Sequence, residues 1–546
     1  MAVSSLLTGR DTSALRKHCE ARRTALDEKR QPWLDYCREV AKELIPTRLA
    51  LLLDSNDTST KGGQQNQNIV DGTGHLALTT VAAGVAQGAM PASSPWFGLT
   101  LRTRFGVADE VREYLDDSSD VLRGMHNQSN ANHVLPEAHQ EWLAFGTAAA
   151  LVVEDDVDDY RLDVLTCGEY WIAEDNRGRV DTIYRSLTLT VGQLAAEFGL
   201  AQCSDHVQGQ ARLEQWDTPV QCIHAIEPDR DGRNPLGRNP MLPWRSVYYE
   251  LTSDCTQVLA VRGYRRFPAL VWRLGKVPGS AYGHGRGHEA LPHLVRLRRM
   301  IYRYNQAVAQ QADPSYQMPP GVQAHEVRLL PGQGTTLKGG DTVKNLRDVR
   351  LKLDELAQEM ERTRQDIRDT LGSTLVASLR RIQRQMTARE ADLRTSQDLT
   401  EFLPGLYRLQ EELLGPYIEW LYDIAEQRGR LPQVPQELEG EVLDIEFQSP
   451  LARKQDEATV DGIVETLAIV GELTKLEPEA KDKIDFDVAV DTISAIKGAP
   501  AKMIRPMEEV EQLRQARAKQ VQAQAQAVAA QQGADVAKTA AEAQAA

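Results

Sequence analysis

Apolar positions recur at helical spacing in two long segments of this chain. Between Glu289 and Ala312, Leu291, Leu294, Leu297, Ile301, Tyr304 and Val308 fall three or four residues apart. Between Asp348 and Leu371, Leu353, Leu356, Met360, Thr363, Ile367 and Leu371 do the same. This spacing lays one apolar stripe along an α-helix. At the standard rise per residue each helix spans roughly 35 Å. Residues 313–346, rich in Pro and Gly, join the two, so the pattern is a helical pair with an excursion at its far end. By itself that pattern also suits a hairpin inside an ordinary core with a solvated charged face.

Elsewhere the same reading gives a helix over residues 11–45, stopped before Pro46. It gives a small-residue helix from Ile69 to Met90, and two more over Val107–Met125 and His133–Phe145. From Ala149 the texture changes to short β-rich runs, Leu151–Glu154, Arg161–Leu165, Tyr170–Ala173 and Val180–Tyr184, read as a meander because turn residues separate them. Thr190 and Gln193 have capping-box spacing and open a short helix to Phe198. Strands are expected at Val220–Ile226, Ser246–Leu251, Gln257–Val261 and Ala269–Trp272. Thr387–Gln427 reads as helix interrupted at Pro404 and Pro416, and Val442–Phe447 as a strand. Residues 450–473 read as helix again. Beyond Glu511 Ala and Gln dominate; without an apolar stripe that tail is a helix or stays disordered. The fold class is α+β, mostly helical.

Charge separates the two long helices. Arg296, Arg298, Arg299 and Arg303 load the first; Asp354, Glu355, Glu359, Glu361, Asp366 and Asp369 load the second. Complementary charge of this kind also suits packing between copies. From Thr370 to Arg389 the chain carries Arg380, Arg381, Arg384 and Arg389 and no carboxylate, although the whole has a formal charge of −15. Such acidity argues against a protein that coats nucleic acid, but not against a conduit whose walls grip weakly. Six cysteines lie scattered without CxxC spacing, which fits reduced thiols. MAVSSLLTGR shows no signal peptide. The Ile69–Met90 run contains Asp71, His75, Gln87 and glycines, and so reads as a buried helix rather than a membrane span.

Several chemistries lack their residues. There is no GxxxxGK[ST], so ATP binding through a P-loop is not expected, and no GxSxG elbow. His284, His288, Glu289 and His293 resemble a zinc signature, but HEALPH is HExxxH: its histidines are five apart, off one helical face, with Pro292 between. Glu154, Asp155, Asp156, Asp158 and Asp159 miss the calcium-loop spacing and its central Gly, and read as a hairpin tip. No catalytic residue, metal site or cofactor is expected.

Several blocks resemble one family. DGTGHLALTTVAAGVAQGAMPASSPWFGL looks like the opening signature of the head-to-tail connector (portal) proteins of short-tailed bacteriophages. FGTAAALVVED, LTCGEYWIAEDNRGRVDTIYR, YGHGRGHEALPHLVRLRRM, ADPSYQMPP, MTAREADLR and QSPLARKQ follow in family order between residues 69 and 455. Two departures stand out: Arg286 and Gly287 occupy the region where a Pro usually follows YGxG, and Ala391 replaces a larger aliphatic residue.

The resemblance implies a portal-type fold assembled as a ring, usually dodecameric, at a capsid vertex of the virion. Residues 1–288 would be an α+β wing, 289–312 the first stem helix, 313–346 the clip and 347–371 the second stem helix. Residues 372–388 would be the tunnel loop, 389–500 wing and crown, and 501–546 a C-terminal helical barrel or a disordered tail. Implied partners are further copies of the chain, double-stranded DNA in the channel, the terminase large subunit, a tail adaptor, and scaffolding and major capsid proteins, with assembly in the host cytoplasm and no membrane. Arg380, Arg381 and Arg384 would then face DNA phosphates, contacts that carry no sequence information; the other reading pairs them with acids of a neighbouring subunit. Two functions of other classes remain open at this level: a metal-dependent hydrolase using the histidine cluster, and a scaffolding or coat-associated protein.

Overall fold

The computed structural model describes residues 11–48, 69–101 save 93, and 109–312 save 156, 253–255 and a few positions between 231 and 238. It then describes 316–317, 344–345, 353–373, 404–438 and 443–448, with short helical pieces between 466 and 522. The chain is mixed helix and strand and divides into two compact units, residues 1–87 with 125–424, and residues 88–124 with 425–546.

In the larger unit, α1 (Ser13–Leu44) covers one face of a five-stranded antiparallel sheet. α2 (Thr73–Ala89) follows it. In the second unit β1 (Phe97–Leu101) pairs antiparallel with β14 (Leu443–Phe447). α3 (Asp109–Gln128) hydrogen-bonds back to β1: Arg123 Nη1 donates to the Phe97 carbonyl at 2.6 Å, and the Leu99 N–H donates to Ser119 Oγ at 2.9 Å. β14 is at the predicted place; β1 escaped prediction because Gly98 interrupts the run of strand-forming residues in FGLTL.

α4 (Ala131–Phe145) ends on Gly146, whose φ of +81° is the left-handed conformation a helix stop uses. β2 (Thr147–Asp155), β3 (Asp159–Leu165), β4 (Tyr170–Glu174) and β5 (Val180–Thr190) lie where the β-rich runs put them. They do not form one meander. β2 and β3 form a hairpin that β9 (Ala269–Arg273) joins, in the order β3-β2-β9, while β4 and β5 begin the larger sheet, β4-β5-β6-β7-β8. The Thr166–Glu169 turn carries the chain from one sheet to the other, and short-range turn chemistry cannot reveal such a step. β6 (Pro219–Pro228), β7 (Trp244–Glu250) and β8 (Ala260–Tyr264) complete the larger sheet. The capping box at Thr190 and Gln193 is formed and opens α5 (Val191–Phe198). α5 and α6 (Asp205–Arg212) are inserted between β5 and β6.

Alternation along the strands sorts the core. Ile223, Ala225, Val247 and Tyr249 meet Leu15, Cys19 and Leu26 of α1. On the opposite face Val220, Cys222 and Tyr248 meet α5 and α6, and Ile172, Ile183 and Ile226 meet Ala149, Leu151 and Val271 of the smaller sheet. Arg245, 1% exposed, is held in the sheet by Glu227, its register partner on β6, and by Asp229. The five described cysteines are buried free thiols. Burial pushes the Cys19 thiol up to about 12, as befits an unreactive core group. Among the described residues no helix is long and apolar enough to cross a membrane.

Short pairs β10 (Gly275–Lys276) and β11 (Gly283–His284) lead into α7 (Arg286–Ala312). β12 (Tyr316–Gln317) and β13 (Lys344–Asn345) pair antiparallel just beyond it. α8 (Leu353–Leu371) returns. α9 (Gly415–Gln427) is continuous with the residues before it through a π-turn, Gln410–Leu414. Pro416 therefore does not interrupt the helix as expected: the Gly415 N–H reaches back to the Gln410 carbonyl, widening the turn ahead of the ring.

Candidate functional site: the α7–α8 hairpin

Both long periodic segments are helices, and they pack against one another. α7 opens earlier than its apolar stripe, at Arg286, because the glycine-rich turn itself is helical from there. The glycines YGHGRG serve a close crossing. A Cβ on Gly283 would sit 2.3 Å from the Gly146 carbonyl oxygen, one on Gly285 2.4 Å from the Gly146 nitrogen, and one on Gly287 2.4 Å from the Ala144 carbonyl oxygen. Only glycine lets the start of α7 lie on the α4–β2 junction. Gly74 of α2 plays the same part further along: a Cβ there would meet Leu294 Cδ2 at 2.7 Å.

Trp33 of α1 stacks on Tyr282 with centroids 4.3 Å apart and donates Nε1–H to the Gly283 carbonyl at 3.1 Å. His288 is buried between Tyr36 and His284, stacked on both. Its Nδ1 accepts the Gly285 N–H at 3.0 Å, and its Nε2 lies 4.0 Å from Cys37 Sγ. Burial, with the His284 ring beside it, lowers its pKa to about 4. A nitrogen that accepts an N–H must keep its lone pair, so the neutral ring is part of the joint. His293 points elsewhere, 4.0 Å from Asp366 of α8. Among the described residues no cluster of three or more His, Cys, Asp or Glu could hold a metal. At the β2–β3 turn Asp155 Oδ1 accepts the N–H groups of Val157 and Asp158, the local bonding of a hairpin tip.

The hairpin's inner end is anchored by side chains the sequence reading had not connected. Arg298 pairs with Glu43 of α1 at 2.7 Å, and Arg364 with Asp71 at 2.9 Å. Leu294, Leu297, Met360, Thr363, Ile367 and Leu371 are buried there. The signal for Asp71 was its place just before α2, where its carboxylate accepts the Thr73 N–H at 2.9 Å; nothing marked Glu43. Arg296 pairs with Glu359 across the two helices. Farther out burial ends: Ile301 and Tyr304 are half-buried, while Tyr302 is 63% and Val308 40% exposed. Arg299, Arg303, Asp354 and Glu355 are exposed on this outer part.

Residues 374–403, with Arg380, Arg381 and Arg384, most of residues 313–346, and most of 449–546, including most of the helix expected over 450–473, lie outside the described residues.

Comparison with known proteins agrees with the block-by-block resemblance and extends it. The profile of the family described as bacteriophage head to tail connecting protein matches residues 16–504. The chain is 34% identical over 527 residues to a "Probable portal protein" of Bordetella phage BPP-1, covering 94% of this chain and 93% of that protein. It is 32% identical over 490 residues to a "Portal protein" of Salmonella phage epsilon15, covering 88% of each. With a profile match through both compact units and relatives aligned almost end to end, this chain belongs to the bacteriophage head to tail connecting protein family.

Proposed function

We propose that the chain is a portal: many copies close into a ring at one capsid vertex and enclose the path by which DNA enters and leaves. The observation that carries this is the family match across residues 16–504, with relatives named as portal proteins. The hairpin supports it physically. α7 and α8 are joined at the inner end to α1 and the start of α2, while their outer parts keep apolar and oppositely charged surface that the other described residues do not cover. Two different, complementary surfaces on one chain are what a head-to-tail contact needs, and such contacts give a ring when the rotation closes.

In this reading residues 289–312 and 347–371 are the stem, 313–346 the clip that docks the terminase and then a tail adaptor, and 372–388 the tunnel loop. Residues 1–288 and 389–500 form wing and crown, and 501–546 a barrel or a free tail. The ring has no covalent chemistry of its own and draws on a separate motor. Arg380, Arg381 and Arg384 face the duplex, each copy adding a few weak, salt-sensitive phosphate contacts that become strong only through repetition.

Negative-stain images of the purified chain test the reading: closed rings with a central hole are expected, and a species that stays monomeric or forms irregular polymers at every concentration would sink it. Replacing Arg380, Arg381 and Arg384 together by Ala should leave rings intact and impair DNA packaging or retention. Unchanged packaging would remove the tunnel-loop assignment while leaving the ring.

A further inference from the structure

We infer that neighbouring copies are held in register by an ion pair between Arg303 of α7 in one copy and Asp354 of α8 in the next, flanked by Arg299 and Tyr302 on one side and Glu355 on the other. This rests on the portal reading and says which residues make its contact. The argument begins inside one chain. Arg296 pairs with Glu359, and His293 lies 4.0 Å from Asp366, so the antiparallel helices are aligned and each residue of α7 has a known level on α8. Following that alignment outward sets Arg299 and Arg303 at the level of Leu353–Leu356, the first turn of α8. Basic and acidic groups therefore sit at one height on the hairpin.

Arg303 and Asp354 make no ion pair among the described residues, whereas Arg296, Arg298, Arg364 and Arg368 all do. Arg299, Tyr302, Arg303 and Gln306, spaced three, one and three, lie on a single exposed strip of α7. Asp354, Gln358, Glu361, Gln365 and Asp369, spaced four, three, four and four, form an exposed strip of α8. One strip is basic with an exposed aromatic ring, and the other is acidic. Charge complementarity at matched height points to a second copy as the occupant: a rotation about a ring axis running along the hairpin brings one copy's α7 strip to the next copy's α8 strip without a shift along the axis. The same arrangement works against association out of step, since a slip of one helical turn, about 5.4 Å, breaks the match.

The test is a charge-swap cycle on the full chain, read as the fraction in rings by sedimentation over a salt series. Arg303→Glu places like charges face to face in every contact and should raise the concentration needed for half assembly by roughly tenfold or more. Asp354→Arg should do the same. The double variant Arg303→Glu with Asp354→Arg restores opposite charge in every contact and should return assembly to within about threefold of wild type. Circular dichroism of each variant separates assembly from folding. Single variants that assemble like wild type at every salt concentration overturn the pairing and leave the portal reading standing. A double variant no better than the singles also overturns it. A wild-type chain that never forms rings removes the portal reading itself, and this pairing with it.

Discussion

The inner and outer halves of the α7–α8 hairpin follow one sequence rule and meet different fates. Both carry apolar residues three and four apart. In the inner half Leu294, Leu297, Ile367 and Leu371 are buried, and Arg298 and Arg364 end on Glu43 and Asp71. In the outer half the stripe continues through Ile301, Tyr304 and Val308, but none of the described residues covers it fully, and Arg303 pairs with no acid among them. Periodicity thus tells which face of a helix is apolar and stays silent on whether the same chain or another one covers it. The inner half is stabilised by folding; in the proposed ring the outer half acquires its partners from the next copy.

That contrast is sharpest at the glycine crossing, where the largest effect is expected. Gly285→Ala would place a Cβ 2.4 Å from the Gly146 nitrogen and within 2.8 Å of two helix-end carbonyl oxygens. Backbone cannot yield as a flexible side chain does, so α7 must lift away from the α4–β2 junction. Loss of more than about 4 kcal/mol is expected, read by denaturant unfolding of the chain. A loss below about 1 kcal/mol would mean the crossing is not what fixes the hairpin.

Next comes the buried stripe. Ile367 is fully buried. Ile367→Ala removes apolar atoms and leaves a cavity, costing about 2–5 kcal/mol in the same unfolding measurement.

Acid should loosen the inner half before the outer one. The folded His288 has a pKa of about 4, below its ordinary value, so between pH 6.5 and 4 the unfolded chain binds a proton that the native ring refuses. Stability is therefore full above pH 6.5 and falls as pH drops toward 4. His126 and His139, also buried and also lowered to about 4, act in the same direction. Glu141 opposes them: burial raises its carboxyl to about 7 despite Arg48, so it favours the folded state as pH falls from 7 to 4.5. His288→Asn keeps an acceptor for the Gly285 N–H and removes the titration; the acid slope of the unfolding midpoint should become shallower, and an unchanged slope would place the titration elsewhere.

How much of this was legible beforehand follows from range. The helix pair, most strands, the Thr190 capping box and the family blocks depend on neighbours within a few residues, and they could be read. The split of β2–β3 from β4–β5 depends on β9, more than a hundred residues on, and could not. Pro416 was misread for a related reason: whether a proline breaks a helix depends on the room left to the turn before it, and the π-turn at Gln410–Leu414 supplies that room. At the candidate site YGHGRG advertised a tight turn but not its partner, since Gly146 looks like any helix stop. For the arginines of α7 and α8, the charge could be read and the partners Glu43 and Asp71 could not. Arg380, Arg381 and Arg384 stand on the family resemblance and on the absence of acids around them.

The smallest expected effect on the single chain is also the one that discriminates best. Tyr302 is 63% exposed on the outer half of α7. Tyr302→Ala should change the unfolding free energy of dissociated chain by no more than about 0.5 kcal/mol, the usual range for a surface site. If the strip around Arg303 meets another copy, the same change removes a large ring from every contact and should weaken assembly by roughly tenfold, since buried aromatic anchors carry much of an interface's energy. Ile367→Ala should do the reverse, harming the single chain first and the ring only as a consequence. Equal losses from both substitutions in both measurements would mean that the two halves of the hairpin do not differ in what covers them.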